Sequence, residues 1–322
     1  MWSKSFFVAC MACLIGSSVA QAQEYPSRPI KFIIPSATGG LTDTMGRLLG
    51  QRLSERVGQP VLVENRTGAG SIVGMKAGAQ AAPDGYTITL TFLGAASVNP
   101  ILYAEPPYDT SRDFVGVSLV ASFPMVLLTD VNLSVKSVKE FVDLARSKPG
   151  GLNYGSPGNA ATAHLAMELF KRRTGIDVVH IPFKGEAAPL NELMAGRLSV
   201  LFMTLGSALP AIQAGKVRAL AIATRERSKR APEIPTLAEA GVSDVEVPGW
   251  YGVLAPANTP KPIVDRLNRE IVAIMNDGDF RTRLAGLGVD PASSTPEAFG
   301  AYIRDETERW RKVVKDAGIK AD

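Results

Sequence analysis

Serine, threonine, asparagine and glycine at two matching turns carry the chemistry this chain can do. The stretch IIPSATGGLTDTMGRLL (residues 33–49) runs an apolar strand into Ser36, Thr38, Gly39 and Gly40, then into a helix opening with Thr42 and Asp43. A helix start leaves backbone N–H groups without intrahelical partners, and its dipole favours a negative charge there. LNYGSPGNAATAHLAMELF (residues 152–170) repeats the plan through Ser156, Gly158, Asn159 and Ala160 into a helix near Thr162. One such turn is an ordinary connection, whereas a pair of them suits an anion held between. Hydrogen bonds to a charged acceptor contribute roughly 1.5 to 3 kcal/mol each, and a helix start adds about 0.3 to 1 kcal/mol. Micromolar binding needs about 8 kcal/mol, so roughly three or four such bonds reach it without an arginine.

The same residues define a rival, a secreted α/β hydrolase using Ser156 or Ser36 with His164 or His180 as base. Position 154 is tyrosine rather than the upstream glycine of a G-x-S-x-G elbow, so Ser156 reads first as a turn hydroxyl. His164 stands four residues before Glu168 on a helix and reads as a surface or rim pair; His180 follows two valines and reads as buried structure. These two histidines give no metal set. TGAGSIVG (residues 67–74) has glycines at 68, 70 and 74, not the G-x-G-x-x-G of a dinucleotide site, and reads as a tight strand-to-helix turn at the cleft rim. Asp43 would repel an anion if exposed beside it, so it reads as a structural or water-orienting carboxylate complementing the helix dipole.

The elements that must position these turns are legible from periodicity. Lys4, the apolar run Phe6 to Val19 and the Ala20-Gln21-Ala22 pattern read as a leader cleaved near Ala22, which directs the chain to the periplasm. Both cysteines, Cys10 and Cys13, fall inside it, so the exported chain has no thiol for disulfides, nucleophiles or metals. About 300 residues remain, enough for two domains. The 35 Lys and Arg against 31 Asp and Glu, with the Arg225, Arg227, Lys229, Arg230 cluster read as a solvated loop, make a weak case for nucleic acid. Strands are expected at 30–34, 61–63, 86–92, 125–128, 178–181, 200–203, 217–223 and 251–254, between helices patterned by Met45, Leu49, Leu53 and Val57, by Leu165, Leu169 and Phe170, and by Ile263, Leu267, Ile271 and Ile274. The alternation predicts α/β units with mostly parallel sheets. A last helix from Pro296 is expected to carry Glu306, Glu308, Arg309 and Arg311 on a solvated face, and Trp250 and Tyr251 to pack the first domain. Crossings near Phe123 and Thr224 divide the chain into a first lobe, 23–123 plus 225–322, and a second, 124–224, with a cleft between them.

YPSRPIKFIIPSATGGLTDTMGRLLGQRL, VLVENRTGAGSIVG, DGYTITL, IPFKGEAAPLNELMAGRLSVLFMT, KVRALAIAT, IPTLAEAGV and WYGVLAPANTPKPIVDRLN, in this order, resemble the Bug-type (TctC-like) extracytoplasmic receptors of tripartite tricarboxylate transporters. The resemblance implies a type II periplasmic-binding-protein fold that hinges shut on a small carboxylate and delivers it, as a monomer without cofactor or metal, to membrane permease subunits. It places ligand contacts at Ser36, Thr38, Gly39, Gly40, Thr42 and Asp43, at Gly94, Ala95 and Ser97 after the third strand, at Ser156, Gly158, Asn159, Ala160 and Thr162, and at Lys184, Gly185 and Thr204. Many relatives have an acidic residue or asparagine where this chain has Thr204. A hydroxyl leaves an ammonium without a counter-charge, so the expected ligand is a mono- or dicarboxylate that is not an amino acid. A receptor of the same fold that feeds a sensor kinase is the alternative within the resemblance.

Overall fold

The computed structural model describes residues 25–103, 105–183 and 185–317. The leader expected at residues 1–22, with its expected cleavage pattern and both cysteines, and Lys184 lie outside the described residues. The strands are β1 (Ile30–Ile34), β2 (Val61–Asn65), β3 (Thr87–Phe92), β4 (Phe114–Phe123), β5 (Met125–Asp130), β6 (Asn153–Ser156), β7 (Val179–Pro182), β8 (Val200–Thr204), β9 (Val217–Ile222), β10 (Gly249–Pro256) and β11 (Asp290–Pro291). They form two sheets, ordered β11-β4-β10-β3-β1-β2 and β7-β6-β8-β5-β9, and each sheet with its helices is one α/β lobe.

The sheets are mixed, which corrects the expectation of mostly parallel ones. β1 runs parallel to β2 and β3, and β6 to β7 and β8. By contrast, β10 is antiparallel to β3 and β4, and β5 to β8 and β9. Connectivity explains the difference. β4 leaves the first sheet, Pro124 alone intervenes, and β5 enters the second; β9 leads back toward β10. A strand arriving from the other lobe has no crossover helix in its own sheet to turn it parallel. β4 has no counterpart among the expected strands because Gly116, Ser118 and Ser122 interrupt its apolar run. Gly116 lets this strand press on the last helix: a Cβ there would lie 3.0 Å from the Pro296 carbonyl oxygen.

The helices bury the faces their spacing predicts. Met45, Leu49 and Leu53 of helix Leu41–Val57 are fully buried, as are Leu165 and Phe170 of helix Thr162–Thr174 and Leu267 and Ile271 of helix Lys261–Met275. Each fully buried aliphatic side chain contributes roughly 1.5 to 3 kcal/mol, so these stripes fix how each helix sits on its sheet. One expectation fails on the last helix, Pro296–Ala317: Glu306 is buried rather than solvated. The Trp310 indole one turn later is wholly buried and donates Nε1–H to the Glu306 carboxylate at 3.2 Å, a partner that a buried indole needs. Burial raises the Glu306 carboxyl above the ordinary range, against the opposing charge of Arg309.

Candidate functional site

The first turn is held rigid from within. Asp43 folds back so that Oδ2 accepts the Gly39 N–H at 2.9 Å and Arg47 Nε at 3.1 Å, while Oδ1 accepts Asn65 Nδ2 at 2.9 Å. Asn65 Nδ2 also donates to the Ser36 carbonyl at 3.1 Å, and Arg47 donates to Asn65 Oδ1 at 2.8 Å. Burial alone would raise the Asp43 carboxyl, but the hydrogen bonds from Arg47, Gly39 and Asn65 outweigh it and hold it below the ordinary range. The Asp43 side chain is thus engaged in fixing the loop. Gly39 has φ +86° and Gly40 caps the helix start without a side chain, so the N–H groups of the first turn, Thr42 among them, stay uncapped. Ser36 Oγ is buried without a protein partner, and Thr38 is exposed at the loop's tip.

The second turn is held by an aromatic stack. Ser156 Oγ lies 2.7 Å from His180 Nε2, accepts the Gly158 N–H at 3.2 Å and donates to the Gly158 carbonyl at 3.0 Å. His180 stacks between Tyr154 and His164, with ring centroids 4.7 and 4.3 Å away. His164 Nδ1 accepts the Ala160 N–H at 3.2 Å, and burial lowers the pKa of this ring, which favours its neutral form. His164 is therefore a buried positioning residue, not the surface pair with Glu168 expected from spacing; Glu168 binds the Tyr154 hydroxyl at 2.6 Å and Lys171 instead. Ala160 sits at φ +57° and Gly158 at +140°. Helix Thr162–Thr174 starts from Ala161 with no side-chain cap. Asn159 and Thr162 are half-buried at this helix start.

The Ser156–His180 spacing resembles a nucleophile and base, but Ser156 is wholly buried and its hydroxyl is already divided between the histidine and Gly158. The hydroxyl is engaged in holding the turn in this geometry. Among the described residues no cluster of His, Asp and Glu could hold a metal ion.

The second-lobe turn lies against the first lobe at two other turns. Gly94 follows β3 in a buried turn, Gly94–Val98, and a Cβ there would lie 2.0 Å from the Ala160 carbonyl oxygen of the other lobe. A Cβ on Gly70, in the glycine-rich turn after β2, would lie 3.7 Å from the Asn159 carbonyl, and Asn99 Nδ2 donates to the Gly70 carbonyl at 2.7 Å. That turn is therefore at the cleft rim. Ala95 and Ser97 face into the first lobe: the Ala95 carbonyl accepts the Tyr108 hydroxyl at 2.5 Å, and Ser97 Oγ donates to the Ile303 carbonyl at 3.3 Å.

Two residues outside the ligand contacts expected from sequence touch residues among them. Tyr251 of β10 packs on Phe123, as expected of a first-lobe residue, but its hydroxyl also meets Thr42 Oγ1 at 3.0 Å. Glu186 precedes helix Ala187–Met194, and Thr204 Oγ1 donates to its Oε1 at a long 3.5 Å. Burial pushes the Glu186 carboxyl up to about 7, against the opposing Thr204 hydrogen bond. By area the residue as a whole is half-buried. Its charge reaches Tyr251, whose hydroxyl is raised first by burial and then by Glu186. Thr204 is almost wholly buried and starts helix Leu205–Gln213; Gly185, at φ +87°, donates to the Pro157 carbonyl at 3.3 Å. Absence of a basic residue three or four positions from Glu186 on its own helix was the available sequence signal that this carboxylate serves something other than an intrahelical pair. A separate surface depression lined by Phe114, Leu254, Glu297 and Arg304 lies on the first lobe, away from these turns.

Two α/β lobes joined by two crossings, with the second-lobe turn set against first-lobe turns, define a two-lobed periplasmic-type solute-binding protein. Residues 45–319 match the model of the tripartite tricarboxylate transporter family receptor, and the chain belongs to that family. It is 36% identical over 300 residues to Protein BugT of Bordetella pertussis, covering 93% of this chain and 92% of that one. Among solved structures it resembles the R. palustris protein Rpa4515 with adipate, at TM-score 0.85 and 34% identity over 92% of this chain and 99% of that chain. It also resembles the periplasmic binding protein BugD, at TM-score 0.83 and 32% identity over 92% of this chain and 99% of that one.

Proposed function

We propose that this receptor is exported to the periplasm, closes its lobes 23–123 plus 225–322 and 124–224 on a small carboxylate, and delivers it unchanged to the permease subunits of a tripartite tricarboxylate transporter. The observation that carries the reading is the approach of Gly94 to Ala160, which brings a first-lobe turn against the second-lobe turn while the helices from Leu41 and Thr162 keep uncapped N–H groups. One carboxylate is held at Ser36 to Thr42, and the ligand is enclosed by Ser156 to Thr162, Gly185 and Thr204. Lys184 is the one cationic side chain assigned to the site from the family resemblance. Adipate in the solved relative supports a carboxylate as ligand class. No helix among the described residues is long and apolar enough to cross a membrane.

The test is a thermal-shift and calorimetry screen of the mature chain with mono-, di- and tricarboxylates. A saturable rise in melting temperature with the ligand recovered intact is expected. Flat curves across the panel, or turnover of esters that Ser156→Ala abolishes, would overturn the reading.

A further inference from the structure

A second contact between the lobes lies apart from the glycine turns and is built around Arg230. The basic cluster expected as a solvated loop is split: Arg225, Arg227 and Lys229 are exposed, whereas Arg230 is half-buried. Its segment belongs with the second sheet. The Ile222 N–H of β9 donates to the Pro235 carbonyl at 2.8 Å, and Ala231 and Ile234 are buried in the same apolar cluster as Leu205 and Ile222. The guanidinium, by contrast, reaches the first lobe. It donates to the carbonyls of Ala285 at 2.5 Å and Val289 at 3.2 Å, and pairs with Asp290 of β11 at 2.8 Å. Three acceptors grouped on one turn suit the planar fork of an arginine, which a lysine ammonium does not reproduce.

Beside this clasp the two backbones touch. Gly206, in the first turn of helix Leu205–Gln213, meets Gly288, which stands at φ +72° just past helix Gly278–Gly286. A Cβ on Gly206 would lie 2.0 Å from the Gly288 Cα, and a Cβ on Gly288 1.9 Å from the Gly206 Cα. Carbon atoms in contact settle at roughly 3.5 to 4 Å, so no larger residue fits either place with the lobes at this angle. β9 and β11 are edge strands, lying beside β5 and β4, which are joined through Pro124. Gly94 and Ala160 follow β3 and β6, each two strands from that crossing in its own sheet. The Arg230 contact is therefore the one close to the hinge, where a small displacement becomes a larger one further out.

We propose that Arg230 is a positioning residue for lobe closure: its clasp on Ala285, Val289 and Asp290 holds the lobes at the angle in which Gly206 and Gly288 touch, and so sets what fraction of the unliganded receptor is competent to retain a ligand. This deepens the receptor reading above and rests on it. Apparent affinity scales with the competent fraction. Loss of the clasp therefore weakens every ligand by one factor and leaves the order of preference as it was.

The experiment compares the mature chain with Arg230→Ala, Arg230→Lys, Asp290→Asn and Gly206→Ala, first without ligand by small-angle scattering, then by calorimetry with succinate, malate and adipate. Arg230→Ala raises the unliganded radius of gyration and weakens each carboxylate that the parent binds by the same factor, roughly 3- to 30-fold. Arg230→Lys recovers only part of the loss. Asp290→Asn leaves both carbonyl bonds in place and does less harm. Gly206→Ala keeps the clasp but wedges the backbones apart; alanine suits a helical turn better than glycine, so a larger radius without a lower melting temperature marks the wedge and not misfolding. An unliganded radius unchanged in Arg230→Ala, or in Gly206→Ala if the arginine variant does not fold, would overturn the inference. Losses in Arg230→Ala that differ from one carboxylate to the next would also overturn it, because the residue would then act on the ligand site. Should the parent bind no carboxylate, the receptor reading fails, and scattering alone decides whether the clasp sets the angle of the lobes.

Discussion

Gly94→Ala should separate closure from folding. In the present structure an added Cβ would stand 2.0 Å from the Ala160 carbonyl oxygen and 3.1 Å from its carbon. Carbon and oxygen approach to roughly 3.3 Å at closest in ordinary packing, so the lobes must part by about 1 Å or the turns must deform. Neither turn yields easily, because Ala160 is pinned by His164 at a positive φ and Gly94 lies in a buried turn. Overpacking of this kind costs about 1 to 3 kcal/mol, which corresponds to a roughly 5- to 150-fold weaker affinity. The first lobe itself should not suffer. Gly94 does not have a positive φ, and alanine is favoured over glycine inside a helical turn by roughly 0.5 to 1 kcal/mol. Calorimetry with the best ligand from the carboxylate screen measures the affinity, and small-angle scattering with and without ligand measures compaction. The expected result is an unliganded melting temperature at or above that of the parent, weaker binding, and reduced compaction. Parental affinity together with full compaction would refute the reasoning, because the Gly94–Ala160 approach would then not belong to the liganded state.

Two further outcomes follow from the charges. Glu186 has a folded pKa raised from 4.5 to about 7, so between those values the folded protein holds a proton that the unfolded chain has released, and stability falls as pH rises through that window. Glu186→Gln should therefore melt higher than the parent at pH 8 without ligand, by an amount on the order of 1 to 3 kcal/mol, with the difference vanishing near pH 4.5; a constant difference across pH would contradict the assignment. Asp43 has the opposite sign. Its lowered pKa contributes stability at neutral pH that fades as pH falls through its folded value, and Asp43→Ala should cost about 1 to 3 kcal/mol by leaving the Gly39 N–H and Asn65 unpaired. Denaturant unfolding at pH 7 and pH 3 checks it: the loss should shrink in acid, and ligand affinity should drop with it.

Where local pattern decides structure, the sequence was a good guide. The buried stripes of Met45, Leu49 and Leu53 and of Leu165 and Phe170 have helical spacing, and the β1 and β8 runs are apolar because their strands are buried. β4 escaped because its contact with the last helix uses a glycine, which carries no hydrophobic signal. Glu306 read as solvated because its neighbours Glu308 and Arg309 are charged, while the buried indole that claims it is one turn further on. The two glycine turns were legible as helix starts. The Tyr251–Thr42 and Glu186–Thr204 contacts were not legible, since each joins residues distant in sequence through tertiary packing alone.

The two turns divide the work of recognition in a way their surroundings explain. Backbone N–H groups cannot distinguish one carboxylate from another, but they can bind one at low entropic cost if the loop is already in place. Asp43, Asn65 and Arg47 do this for the first turn, and the Tyr154–His180–His164 stack does it for the second. On the proposed function, the Gly94–Ala160 approach would limit how far the lobes close. On that same reading, a site built this way would bind carboxylates as a class and leave discrimination to side chains beside the turns. Glu186 belongs to neither network that holds the turns. Exchanging it should therefore leave both turns in place, whereas exchanging Asp43 should loosen the first turn and weaken ligand binding together.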